Sequence, residues 1–121
     1  MEKEKRSHRE SFVVGKEHLA SRIGSGDVEV LSTPSLIAFM EKVSKDLAGK
    51  LVEEGKTTVG VHLDIYHVAP AYEGDAVEVE SRIVNTAGNR IVFYVQAECR
   101  GKIIGYGVHE RAVVDSRKFS K

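Results

Sequence analysis

The chain is poor in cysteine, proline and methionine, with one, two and two residues, and it has no tryptophan in 121 positions. A lone Cys99 cannot close an internal disulfide, which excludes a disulfide-stapled secreted scaffold and fits a reducing compartment. Charge of one sign is lacking too: eighteen Lys and Arg balance eighteen Asp and Glu. A nucleic-acid-binding domain would be clearly basic, so that class is set aside, while a net charge near zero does not oppose self-association. No apolar run approaches the roughly 20 residues of a membrane span. The opening MEKEKRSHRE is not followed by the hydrophobic region of a signal peptide. The expectation is a cytoplasmic protein with neither nucleic acid nor membrane as partner. The length predicts one domain, able to bury about two thirds of its unfolded surface.

What is present has a clear order. Residues 1–9 are charged and aperiodic and read as a solvated, flexible tail, leaving 10–121 as the domain. A short strand is expected at Glu10–Val14. The following HLASRIGSGDVEVLSTPS reads as loop, with a turn of helix at His18–Arg22 and a strand fragment at Val28–Leu31. One long helix is predicted in TPSLIAFMEKVSKDLAGKLVEEG, with Thr33 as N-cap, Pro34 at the first helical position and Gly55 as the stop. Leu36, Met40, Val43, Leu47 and Leu51 form its apolar stripe, and Glu41 and Lys45 a favourable i,i+4 pair. After Gly55 the period falls to two, predicting strands at Thr57–His67, Ala76–Asn85, Arg90–Arg100 and Lys102–Val114. TAGNR and CRGKI are tight turns, so these strands pair antiparallel. The fold expected is α+β: a curved antiparallel sheet wrapped around one central helix. One helix cannot cover all of such a sheet, and a homodimer is expected to cover the remainder.

Several side chains could carry chemistry. His62 and His67 lie five apart on one strand and point to opposite faces, so they cannot share a metal from that strand. No Cys/His spacing resembles a zinc site, and neither metal nor cofactor is called for. By alternation, Val59, Val61, Leu63, Ile65 and His67 share one face, so His67 closes an apolar row either as a core histidine or as part of a site. In GVHERAVVD, His109, Arg111 and Val113 share a face, and Gly105 and Gly107 precede them on it. The glycines mark a bend or the close approach of a ligand or another backbone, and Gly60 is read the same way. Thr33 reads as a helix cap, or as a group at a helix start whose free N–H groups could stabilise an oxyanion. Glu41 borders the apolar stripe, as a surface partner of Lys45 or as a partly desolvated base. There is no Gly-x-Ser-x-Gly elbow, P-loop or dinucleotide fingerprint.

Three segments, STPSLIAFME, TTVGVHLDIYHVAPAYEGDAVEVES and GVHERAVVDSRKF, have an order and spacing that resemble the hotdog-fold thioesterase superfamily. Within it they are most similar to the fluoroacetyl-CoA thioesterase branch, in register from about Ser11 to Phe119. The resemblance implies a hotdog homodimer, with further pairing into tetramers left open. It also implies an acyl-CoA substrate lying across the subunit interface and hydrolysis of its thioester. By resemblance Thr33, Glu41 and His67 act in that hydrolysis, while Gly60 and Arg111 place the substrate or support them. Thr33 and Glu41 are eight residues apart, about 12 Å of helix rise, so a site using both is elongated or draws on two subunits. The branch shapes a small acyl pocket with bulky aromatics before the helix. Here that segment is IGSGDVEVLS, and specificity for a fluorinated acyl group is not carried over. A non-catalytic acyl-CoA-binding module and an enoyl-CoA hydratase or dehydratase on the same fold are the alternatives.

Overall fold

A computed structural model of the chain describes residues 6–119. Its core is a long helix held against a five-stranded sheet. The strands are β1 (Ser7–Val13), β2 (Lys56–His67), β3 (Ala76–Ala87), β4 (Arg90–Cys99) and β5 (Lys102–Asp115). All pairings are antiparallel, in the order β1-β3-β4-β5-β2. The two hairpins are where turn chemistry predicts them. Ala87 pairs with Arg90 around Gly88-Asn89, and Cys99 with Lys102 around Arg100-Gly101. Arg100 and Gly101 both have positive φ, 56° and 73°, the backbone that a two-residue hairpin demands.

The amino-terminal strand begins earlier than expected. Ser7, His8 and Arg9 pair with Arg82, Ser81 and Glu80, so the charged run is strand from Ser7 onward, not tail. Its charges are matched across the ladder, Arg9 reaching Glu78 at 2.9 Å and Glu80 at 3.3 Å. The remainder of the anticipated tail, residues 1–5, lies outside the described residues. Between β1 and the long helix run a 3-10 turn (Lys16–His18) and one helical turn, α1 (Ala20–Ile23). The strand fragment expected at Val28–Leu31 is reduced to a single bridge between Leu31 and Leu19.

The long helix, α2 (Thr33–Gly49), starts with Thr33 already helical. Ser32 is the N-cap, its Oγ accepting from the Ser35 N–H at 3.1 Å. The capping role expected of Thr33 therefore falls to its neighbour, and Pro34 sits one position further in. The helix ends at Gly49 instead of Gly55, and Leu51, outside it, is 39% exposed. Leu36, Met40, Val43 and Leu47 are buried as the stripe predicts, with Phe39, Ser44 and Ala48 beside them. They meet Val77 and Val79 of β3 and Phe93, Val95 and Ala97 of β4 in one cluster. Each large apolar side chain removed from water there contributes about 1.5–3 kcal/mol. Within it, Ser44 donates to the Met40 carbonyl at 2.9 Å and lies 2.8 Å from Ser81, so both hydroxyls are satisfied.

Two glycines let β5 lie close to its neighbours. A Cβ on Gly105 would sit 2.7 Å from Leu36 Cδ2, and one on Gly107 would collide with the Asp64 carbonyl of β2. The register of β2 on β5 shifts between Gly60 and His62. This bulge places one extra residue in β2 and reverses its alternation. Thr58 and Gly60, not Val59 and Val61, therefore share the helix-facing side with Leu63, Ile65 and His67. The five-way apolar row expected from strict alternation is broken at that point.

Candidate functional site

The described residues place the sequence candidates in two groups at opposite ends of β2. At one end His67 pairs with Gly105 as β2 finishes. Its Nδ1 lies 2.8 Å from Thr33 Oγ1 at the first residue of α2. Because Ser32 does the capping, the Thr33 hydroxyl is released for this contact, and the two atoms share one proton. His67 Nε2 is buried and has no hydrogen-bond partner among the described residues. Burial pushes the His67 pKa below the ordinary histidine value, only partly opposed by the nearby backbone of Ala69, so the ring is neutral at physiological pH. A cleft of about 290 Å³ opens beside it, lined by Val30, His67, Val68, Ala69 and Pro70. Val30 was not singled out in the sequence, since only the folded loop brings it there.

At the other end, two turns along α2, Glu41 reaches the sheet over Gly60. A Cβ on Gly60 would lie 3.0 Å from Glu41 Oε2, 3.2 Å from His109 Cε1 and 3.5 Å from Arg111 Nη1. Arg111 pairs with Gly60 across the ladder and is 6% exposed. Its Nε–H donates to Thr58 Oγ1 at 2.8 Å and its Nη2–H to the Thr58 carbonyl at 3.0 Å. Burial lowers the Arg111 pKa and Glu41 opposes the shift; a guanidinium nonetheless stays charged. The i,i+4 pair expected between Glu41 and Lys45 is not made. Lys45 faces Asp46 at 3.7 Å, and Glu41 turns inward, because Gly60 leaves room for a carboxylate beside a buried cation.

Within one chain, then, Thr33 and His67 stand together, Glu41, Gly60 and Arg111 stand together, and the two groups are apart. The seven positions from Gly60 to His67 along β2 correspond to about 20 Å of strand, allowing for the bulge. Thr58 was missed from the sequence, as nothing in its local pattern foretells the bulge that aligns it with Arg111. Elsewhere, His8, Glu10 and Asp46 bring their ligand atoms within 4.8 Å of one another. The cation there is Lys42, which donates to Glu10 at 2.8 Å and to Asp46 at 2.7 Å. It holds the Asp46 carboxyl down to about 2.

A helix cradled by an antiparallel sheet in the order β1-β3-β4-β5-β2, with polar groups at the rim of the cradle, defines a hotdog-fold protein of the thioesterase superfamily. The model of the family described as fluoroacetyl-CoA-specific thioesterase matches residues 14–117, and the chain belongs to that family. It is 29% identical over 92 residues to the fluoroacetyl-CoA thioesterase of Streptantibioticus cattleyicolor. That match covers 76% of this chain and 66% of the relative, just under two thirds of its length. Among solved structures, it is similar to a variant of the fluoroacetyl-CoA-specific thioesterase FlK in complex with fluoroacetate and CoA. The TM-score is 0.88 at 25% identity, over 94% of this chain and 96% of that one. A thioesterase-superfamily protein of Thermus thermophilus superposes with a TM-score of 0.85 at 28% identity, over 93% and 83% of the two chains.

Proposed function

We propose that the protein hydrolyses an acyl-CoA thioester to the free acid and coenzyme A. It works as a homodimer in which each site joins Thr33 and His67 of one protomer to the partner subunit's Glu41, Gly60 and Arg111. The observation that carries this is the division of the polar groups between the two ends of an unpaired edge strand. Among the described residues β2 hydrogen-bonds only to β5, and Val59, Val61 and Leu63 are exposed along it at 36%, 44% and 38%. Leu63 pairs with His109 and so faces inward, yet its side chain remains open to solvent. An edge of this length and apolarity calls for a partner. A two-fold axis through Asp64 sets position 60 of one strand against position 67 of the other, Val61 being the extra residue of the bulge that takes up the odd count. The two half-sites then face each other across a single strand spacing of about 4.8 Å.

The chemistry follows from the groups so joined. Glu41 takes a proton from water as the water oxygen adds to the thioester carbonyl, or adds to that carbon itself to give an anhydride that water then cleaves, freeing the acid and Glu41. Charge growing on the carbonyl oxygen is met by N–H groups at the start of α2 and by Arg111. When the C–S bond breaks, the proton released by water passes to the thiolate by way of His67, which takes it up before giving it away and so returns to the neutral ring, with Thr33 fixing the ring through Nδ1. Water is consumed and an acid and a thiol are released, without a cofactor. The segment before α2 lacks aromatic side chains, so the assignment stops at the acyl-CoA class.

The test is a panel of acetyl-, fluoroacetyl-, branched and aryl-CoA with the released thiol trapped, repeated on Glu41→Gln and His67→Ala. Each variant is expected to lose about 100- to 10,000-fold in rate. Mixing the two inactive proteins and letting subunits exchange is expected to restore about a quarter of the sites, since every mixed dimer keeps one site of two intact. Unchanged rates in the single variants would reject the residues. Dead singles with no recovery on mixing would reject the shared site. Tight binding of coenzyme A thioesters without turnover would leave a binding module.

A further inference from the structure

His109 has no part in the chemistry above, yet it is wholly buried, with a side chain that could have been apolar. Both of its ring nitrogens are committed. Nδ1 lies 2.9 Å from the His62 carbonyl, which can only accept, so the proton resides on Nδ1. Nε2 is therefore bare, and it accepts from Arg111 Nη1–H at 3.0 Å. The carbonyl that fixes this tautomer belongs to the residue at the β2 bulge, the irregularity that turns Thr58 and Gly60 toward the helix. Phe93 stacks alongside the ring at a centroid distance of 6.1 Å and an interplanar angle of 27°. Burial and the neighbouring guanidinium both keep the imidazole neutral, against the weaker opposing pull of the His62 carbonyl and Glu41.

The guanidinium has five N–H donors. Three are used, by Thr58 Oγ1, His109 Nε2 and the Thr58 carbonyl, and two remain without a partner among the described residues. The plane of the group is thus fixed by two elements, with Gly60 open in front of it. We propose that His109 is a positioning residue of the thioester site: as the Nδ1–H tautomer it ties the β2 bulge to Arg111 and aims the two spare N–H donors at the carbonyl oxygen of the bound thioester. This rests on the hydrolytic function above, but the geometry has its own readout.

Full-length His109→Leu and His109→Gln test it. Leucine keeps the bulk and removes both hydrogen bonds, while the amide oxygen of glutamine can still accept from Arg111. In His109→Leu, kcat is expected to fall about 100-fold, the cost of misplacing a reacting geometry by about 1 Å, with KM changed by less than about threefold. Glutamine is expected to recover at least tenfold of that loss. By NMR, the Arg111 Nη protons should be separately resolved in the wild-type protein and in His109→Gln, and averaged by rotation in His109→Leu. Resolved Arg111 protons or an undiminished kcat in a folded His109→Leu would overturn the proposal. Should the leucine variant not fold, a glutamine variant with averaged Arg111 protons and a rate no better than about 1% of wild type would overturn it. If the wild-type protein turns over no acyl-CoA, the functional assignment fails while the NMR comparison still decides whether His109 holds Arg111.

Discussion

Glu41 reaches the sheet because Gly60 has no side chain in its way. Alanine at that position is sterically compatible with the strand backbone, but its Cβ would press on Glu41 Oε2 at 3.0 Å and His109 Cε1 at 3.2 Å. The carboxylate is the flexible partner and gives way. The His109 ring, held by Arg111 and the His62 carbonyl, does not, so Gly60→Ala is expected to cost about 1–3 kcal/mol of stability and to lose about tenfold or more in kcat/KM, measured by thermal unfolding beside thioesterase assays. Equal activity would mean that the carboxylate works from elsewhere. The sequence made Gly60 conspicuous as a glycine within a β-branched strand. It did not put Gly60 on the same face as His67, because seven positions of strict alternation end on opposite faces and the bulge at Gly60/His62 reverses that parity. His67 itself was legible as an ionisable ring closing an apolar row, and its environment agrees: a buried ring with one nitrogen on Thr33 and the other unpartnered among the described residues.

The start of α2 separates two roles that the sequence merges. Ser32 and Thr33 are adjacent hydroxyls before a proline, and either could cap. Ser32 has the extended backbone of a cap, φ −74° and ψ 152°, which leaves Thr33 free for His67. Two substitutions should then diverge. Ser32→Ala is expected to lower unfolding stability by about 1 kcal/mol with little effect on rate, seen in denaturant midpoints. Thr33→Val is expected to leave stability nearly unchanged and lower kcat by about 100-fold. The opposite pattern would return the cap to Thr33. The helix stripe and the four long strands were readable because periods of 3.6 and 2 persist over ten or more residues. The helix end was not, since Gly55 reads as the stop while the chain leaves the helix after Gly49. The amino-terminal strand was hidden by its charge: Arg9 has no evident partner until β3 lies beside it with Glu78 and Glu80.

The folded molecule also responds to pH as a unit, because His67 and His109 are both held neutral by burial. Each has a pKa lowered from the ordinary value. The unfolded chain takes up these protons at about pH 6.5, whereas the folded chain resists until lower pH. Stability is accordingly unaffected by these groups above about pH 6.5 and declines as pH falls below it, until the folded-state values are reached. Denaturation midpoints measured from pH 5 to 8 should show this slope, and replacing both histidines with glutamine should flatten it; a slope that persists would assign it to other groups.

Composition and periodicity were enough to predict the α+β class, the apolar helix stripe and the hairpins, since these depend on local propensity and on which side chains prefer to leave water, while the thioester reading came from the family resemblance. Which of those residues meet was set by long-range register. A single bulge in β2 brings Thr58 and Gly60 under Glu41 and Arg111. A serine cap frees a threonine for His67, and β5 glycines let the strand lie close to the helix and β2. Such pairings join positions far apart in the chain, Arg111 and Thr58 being separated by 53 residues. They are decided by how helix and sheet close-pack, which no window of sequence contains.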